Sequence, residues 1–299
     1  MSHNGNHTHK TTNYNKVFGV GILLNVVYTI VEAGYGIAIN SMALIADAGH
    51  NLSDVLGLVL AWSASYLAQT AATKTKTYGM RKSTILAALL NSIILMIAVG
   101  AISIEAVRKI ITPEPVAGTT MMIVAGIGVV VNTFTALLFL KGRNKDLNIR
   151  GAFLHMAADA GVSLGVVAGG LIISLTGWNL IDPIISVIIV VVITIGTWGL
   201  LKDSFYLSMD AVPKGIDYSD VENFLKSLNG VNEVHDLHIW GLSTTESALT
   251  AHLVMPALQN NDKFIAETSK ALKDKFGIDH TTIQIEIDPG CADCSLNGK

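Results

Sequence analysis

The sequence predicts an α-helical membrane protein: a six-transmembrane-helix bundle followed by a small α+β domain of order αββαβ. Three observations carry that expectation. Of 299 residues, 51% are hydrophobic and only 14% charged, with a mean hydropathy of +0.50, too apolar for an ordinary soluble globular chain. Six apolar stretches, at about 17–37, 41–69, 83–107, 117–140, 148–176 and 183–201, each approach the roughly 20 residues that a bilayer demands. From about residue 208 the composition turns to charged helical patterns and alternating strands.

Taken in order, residues 1–16 form a polar tail with His3, His7 and His9. It lacks the apolar core of a cleavable signal peptide, so targeting falls to the first membrane helix. The membrane domain occupies 17–207. Short connections, such as Asn40-Ser41 and 177–182, imply antiparallel neighbours, and Gly165, Ala168, Gly169 and Gly170 allow close helix contact in the fifth span. Eleven basic residues lie on one side: Lys10, Lys16, Lys74, Lys76, Arg81, Lys82, Lys141, Arg143, Lys145, Arg150 and Lys202. Arg108 and Lys109 stand on the other, so both termini are expected in the cytoplasm. In the domain at 208–290, residues 217–228 read as an amphipathic helix ended by Asn229-Gly230, and 231–242 and 246–256 as a hairpin. A second helix at 260–276 and a third strand at 281–287 complete a small open sheet with helices on one face. Residues 291–299 form a tail containing Cys291 and Cys294, too few cysteines for a disulfide framework. A net charge of −3 and the absence of a basic patch exclude nucleic acid as a partner.

Two His-x-x-x-Asp pairs interrupt the apolar spans: His50 with Asp54, and His155 with Asp159. Residues i and i+4 share one helix face, so each pair points two ligand-type side chains in one direction. Ionisable groups at membrane depth are costly and typically serve an ion or proton pathway. Two imidazoles and two carboxylates make a four-coordinate N2O2 shell suited to Zn²⁺. Both ligand types take up protons as metal leaves, which makes exchange of Zn²⁺ for H⁺ a natural consequence. Asp47 lies on the same face as His50 and Asp54; it is expected outside the ligand shell, orienting it or facing water near the entrance, with a fifth ligand as the alternative. For Asn25, Glu32, Asn91, Glu105 and Asn132 the expected role is interhelical hydrogen bonding.

The run Asn40-Ser-Met-Ala-Leu-Ile-Ala-Asp-Ala-Gly-His-Asn-Leu-Ser-Asp54, the Tyr78-Gly79 pair, Arg150-Gly-Ala-Phe-Leu-His-Met-Ala-Ala-Asp-Ala160 and Trp178-Asn-Leu-Ile-Asp-Pro183 together resemble the cation diffusion facilitator family. The resemblance implies a homodimeric six-helix transporter that exports Zn²⁺ and related divalent ions against protons, with a ferredoxin-like cytosolic domain. It places the transport site on His50, Asp54, His155 and Asp159, in the zinc-preferring branch. Two departures stand out. Residues 69–81 contain no His, Asp or Glu, so a second metal site known in that loop of some members is not expected. Lys82 and Thr84 replace the Arg and Glu that often follow the Tyr-Gly pair.

In the cytosolic domain, His235 and His252 fall on adjacent strands, with Glu286 and Asp288 on one face of the third. The resemblance matches His235, His252 and Asp288 to zinc ligands near a dimer interface, and Glu286 to a position where some relatives carry His. His238 and His280 read as ordinary sheet residues. Cys291 and Cys294 have the separation of half a zinc knuckle. The function expected is alternating-access efflux of zinc, regulated by cytosolic metal, with Cd²⁺, Co²⁺ or Fe²⁺ as further cargo. An intramembrane zinc metalloenzyme and a membrane metal sensor are the alternatives. The compact loops and brief tails favour a bacterial inner membrane, with an organelle membrane as the other location.

Overall fold

The computed structural model describes residues 14–140, 147–256 and 261–287. Six long helices come first: α1 (Tyr14–Ala38), α2 (Met42–Ala68), α3 (Ser83–Ile111), α4 (Gly118–Phe139), α5 (Leu147–Thr176) and α6 (Ile181–Ser208). Among the described residues, α2 to α6 are long and apolar enough to cross a membrane, and Leu23–Ala38 of α1 forms a shorter apolar helix. The chain divides into two compact units, one of residues up to Leu56 with Ile94–Thr197, the other of Gly57–Ile93 with Trp198 onward.

In the first unit the usual soluble pattern is inverted. Ile104 and Ile195 are each 73% exposed, whereas Glu32 and Asp47 are completely buried. Apolar side chains outside and ionisable ones inside are what lipid selects, because hydrocarbon does not repel the former and cannot solvate the latter. Helices α4 and α5 pack most extensively, and α1 lies against α4. At the α4–α5 contact, a side chain at Gly170 would run into the backbone of Gly118 and Met122, so only glycine permits this approach. The buried core joins Ala43 and Leu44 of α2, Leu95 and Val99 of α3, Met121 and Val124 of α4, Val166 and Ile173 of α5, and Ile189 and Ile193 of α6.

One contact fixes where α2 begins. Asp182, in the first turn of α6, accepts hydrogen bonds from the Ser41 hydroxyl (2.5 Å) and from the backbone N–H groups of Met42 (2.7 Å) and Ala43 (3.1 Å). A carboxylate thereby meets the unpaired N–H groups and the positive end of the α2 dipole. The preceding turn is set by Asn40, whose φ of 59° is left-handed and whose backbone and side-chain oxygens both accept from buried Lys109. The register of α2 is thus pinned two to three turns before His50. Asp182→Ala is expected to destabilise the fold by about 1–2 kcal/mol, the cost of a lost N-cap. Thermal unfolding in lipid nanodiscs checks this; an unchanged melting temperature would contradict the capping role.

The second unit holds the soluble elements: α7 (Tyr218–Lys226), β1 (Glu233–Gly241), β2 (Ser247–Val254), α8 (Asn261–Phe276) and β3 (His280–Glu286). The expected αββαβ order is observed. Helix α7 starts where Asp217 accepts from the N–H groups of Ser219 and Asp220. Strands β1 and β2 pair antiparallel, and β3 returns through α8 to pair parallel with β2, giving the order β1-β2-β3. Leu249, Ala251 and Leu253 of β2 join Val221, Leu225 and Leu272 of the helices in one core. By strand alternation, His252 falls on the opposite, helix-free face. The register of β1 breaks between His235 and His238, where Asp236 has a φ of 47°. At the Tyr-Gly segment the replacement Lys82 keeps an ion pair, 2.6 Å from Asp210, and Arg81 lies 2.8 Å from Glu246. The Thr84 hydroxyl accepts from the Thr244 N–H.

Candidate metal centres

The membrane quartet forms a closed ring. His50 Nε2 lies 3.8 Å from Asp54 Oδ2 and 3.4 Å from Asp159 Oδ1, and His155 Nε2 lies 3.1 Å from Asp54 Oδ2 and 3.7 Å from Asp159 Oδ2. Each imidazole therefore touches both carboxylates. Zinc bonds of about 2.0–2.1 Å place tetrahedral ligand atoms about 3.4 Å apart; His50, Asp54 and Asp159 each bring one ligand atom within 4.8 Å of the others, and His155 joins them through Asp54 Oδ2 and the second oxygen of Asp159. The two rings meet edge to face with centroids 6.1 Å apart. Exposure is graded: the Asp159 side chain is 2% exposed, whereas Asp54 and His155 reach 31% and 41%. Asp54 lies one turn C-terminal to His50 in α2, and His155 one turn N-terminal to Asp159 in α5.

Asp47 is fully buried, so it does not face water. Its Oδ2 accepts from the Ser163 hydroxyl at 2.9 Å, and it acts on His50 and Asp159 through space. The Nδ1 of His50 has no hydrogen-bond partner among the described residues, so Asp47 does not orient that ring by a direct bond. Of the other polar residues in the spans, Glu32 is bonded by Tyr28 and Asn51. Half-buried Glu105 takes Arg108 on its own helix, and Asn132 is buried with neither side-chain atom partnered among the described residues. The expected interhelical role thus holds for Glu32 through Asn51 and not for Glu105.

On the helix-free face of the sheet, His235 and His252 are direct register partners across β1 and β2. Glu286 of β3 closes the group: its Oε2 is 3.1 Å from His235 Nε2, and its Oε1 is 3.0 Å from His252 Nδ1. These atoms are close yet not aligned as hydrogen bonds: His235 Nε2, His252 Nδ1 and Glu286 Oε2 all remain unsatisfied. One ligand atom from each of the three lies within 4.8 Å of the others, a grouping that could hold a cation. Glu286→Ala in the full-length chain is expected to remove one zinc per protomer from the binding stoichiometry and to leave the membrane site loaded. Equilibrium dialysis with zinc analysis checks it, and an unchanged stoichiometry would contradict the grouping.

Asp236 was missed by sequence reasoning. Regular alternation puts it on the face opposite His235, but the left-handed φ turns it so that Oδ1 lies 3.0 Å from His238 Nε2 and Oδ2 lies 3.6 Å from His252 Nε2. No sequence signal marks a positive φ at a non-glycine strand residue. Gln284 also reaches the group, donating to Glu286 Oε1 at 2.8 Å. His280 stacks edge to face on Tyr78. Asp288, Cys291, Cys294, His3, His7 and His9 lie outside the described residues.

Comparison with known proteins covers both parts of the chain. Residues 19–207 match the family model described as the cation efflux transmembrane domain, and residues 213–288 that of the cation efflux protein cytoplasmic domain. The cadmium, cobalt and zinc/H(+)-K(+) antiporter of Bacillus velezensis is 35% identical over 291 residues, covering 96% of this chain and 92% of that protein. Zinc transporter ZitB of Escherichia coli is 32% identical over 301 residues, covering 99% and 95%. A solved structure, the metal-bound C-terminal domain of the CzcD transporter from Cuprividus metallidurans, is 39% identical, covers 24% of this chain and 99% of that one, and has a TM-score of 0.23.

Proposed function

The chain belongs to the cation efflux family, a family of transporters and not of enzymes, and from that premise we propose that it expels Zn²⁺ from the cytoplasm in exchange for protons by alternating access. The observation that carries the reading is the ring of His50, Asp54, His155 and Asp159, whose spacing suits one tetrahedral zinc. With all four positions filled by protein, no place is left for the water of a catalytic site. Relatives named for cadmium, cobalt and zinc support those two further ions as cargo; Fe²⁺ follows from ligand type alone.

The basic connections after α2 and before α5 support cytoplasmic termini, with a membrane part of 17–207 and a cytosolic part of 208–290. In that orientation the exposed ligands Asp54 and His155 face the cytoplasm, and zinc enters past them to Asp159. Rocking of the helices then opens the ring outward, where acid displaces the ion. The cytosolic group of His235, His252 and Glu286, with Asp288, Cys291 and Cys294 beyond it, reads as a regulatory zinc site between two copies of the chain. Bacterial relatives support an inner-membrane location. Purified protein in proteoliposomes tests the reading: an imposed pH gradient is expected to drive uptake of Zn²⁺, with Cd²⁺ and Co²⁺ as weaker substrates. Metal movement indifferent to the gradient would overturn the exchange.

A further inference from the structure

A second buried acidic group sits beside the metal ring and is not explained by zinc binding. Glu32 of α1 and Asp47 of α2 are both completely buried, and their carboxyls face each other. Glu32 receives the Tyr28 hydroxyl on Oε1 at 2.6 Å and the Asn51 amide on Oε2 at 3.4 Å. Asp47 receives the Ser163 hydroxyl on Oδ2, but its buried Oδ1 has no donor among the described residues. The groups acting on the pair are Tyr28 from α1, His50 from α2, and Asp159 and Ser163 from α5. Among the described residues, neither carboxyl is paired with a lysine or arginine. Two facing carboxylates without a cation cannot both stay ionised in a water-poor interior. An acceptor without a donor, opposite a carboxyl, is satisfied by one added hydrogen.

On the exchange reading above, we infer that Glu32 is a proton-binding site separate from the metal ring, holding its proton against Asp47 while the ring is empty and releasing it when zinc is loaded. The link is electrostatic. Asp47 lies one helical turn from His50 and senses both His50 and Asp159, so two positive charges arriving in the ring favour an ionised pair and their departure favours a protonated one. Each cycle makes and breaks one O–H bond: a hydronium ion in the water that reaches the emptied ring from outside protonates Glu32 and is left as water, and on reloading from the cytoplasm the proton passes to water on that side. No described hydrogen bond or ion pair joins Glu32 to the four ligands, so its loss leaves the ring intact.

The test uses the full chain in proteoliposomes carrying a zinc dye and a proton dye, so that both fluxes are read together. Glu32→Gln is expected to keep zinc affinity within about threefold and to retain downhill zinc movement, while the protons moved per zinc fall by about one. Coupled flux in the parent that Glu32→Gln leaves unaltered overturns the proposal alone. Zinc flux in the parent that moves no protons overturns the exchange reading and the proposal with it. Should Glu32→Gln fail to fold, Tyr28→Phe carries the test. Loss of the hydroxyl that donates to Glu32 removes support for its ionised form, so the pH midpoint of coupled flux is expected to move upward by at least half a unit; an unmoved midpoint overturns the proposal.

Discussion

Asp159→Asn is expected to weaken zinc binding at the membrane site by about 100-fold and to abolish transport at micromolar zinc. Structural zinc sites bind with about 10–16 kcal/mol, so one ligand of four contributes roughly 3 kcal/mol. At about 1.4 kcal/mol per decade, that is on the order of two decades in affinity. Asp159 is the most telling of the four because its side chain is 2% exposed, so no bulk water is at hand to take the vacated position. Asparagine preserves its volume, which keeps a packing defect from mimicking the loss of a ligand. Were these side chains only hydrogen-bonded between helices, an amide would serve almost as well. Competition with a zinc chelator, on protein also carrying Glu286→Ala to silence the cytosolic group, reads the change. An affinity within threefold of the parent would contradict the ligand assignment.

Acidification is expected to release zinc from the ring with a steep slope. Each imidazole must be unprotonated to bind metal, so protons and zinc compete for the same nitrogens. Each of His50 and His155 adds up to one proton to the exchange, so the logarithm of the binding constant falls by up to about two per pH unit where both are protonated in the empty ring. Removing one imidazole, as in His50→Asp, is expected to reduce the slope by about one. A zinc titration series from pH 7.5 to 5.0 measures it; affinity that holds steady or rises on acidification would contradict release by proton competition.

The features most readable in the sequence were those written in local spacing. The i, i+4 pairs His50/Asp54 and His155/Asp159 announced a shared face, and the structure joins the two faces into one ring. The helices begin and end within a few residues of the apolar stretches, save that α6 runs on to Ser208 because its last turns carry residues that suit helix and interface alike. What stayed hidden depends on distant or irregular backbone. Asp182 caps α2 from some 140 positions away, a contact that no local pattern encodes. Asp236 enters the cytosolic group only because a left-handed residue breaks strand alternation. Glu32 read as a plain interhelical hydrogen-bonding residue, and it does take Asn51; its proximity to Asp47 needed the packing of α1 on α2 to be seen.

The most direct check on the central claim is zinc K-edge absorption spectroscopy on protein loaded with one zinc per protomer. A variant with His235→Ala, Glu286→Ala, Cys291→Ser and Cys294→Ser confines that zinc to the membrane. The expected spectrum is a four-coordinate zinc with nitrogen and oxygen neighbours at about 2.0–2.2 Å and the outer-shell scattering of two imidazoles. A six-coordinate ion, or one without imidazole scattering, would contradict the ring of His50, Asp54, His155 and Asp159 as the place where the cargo is held.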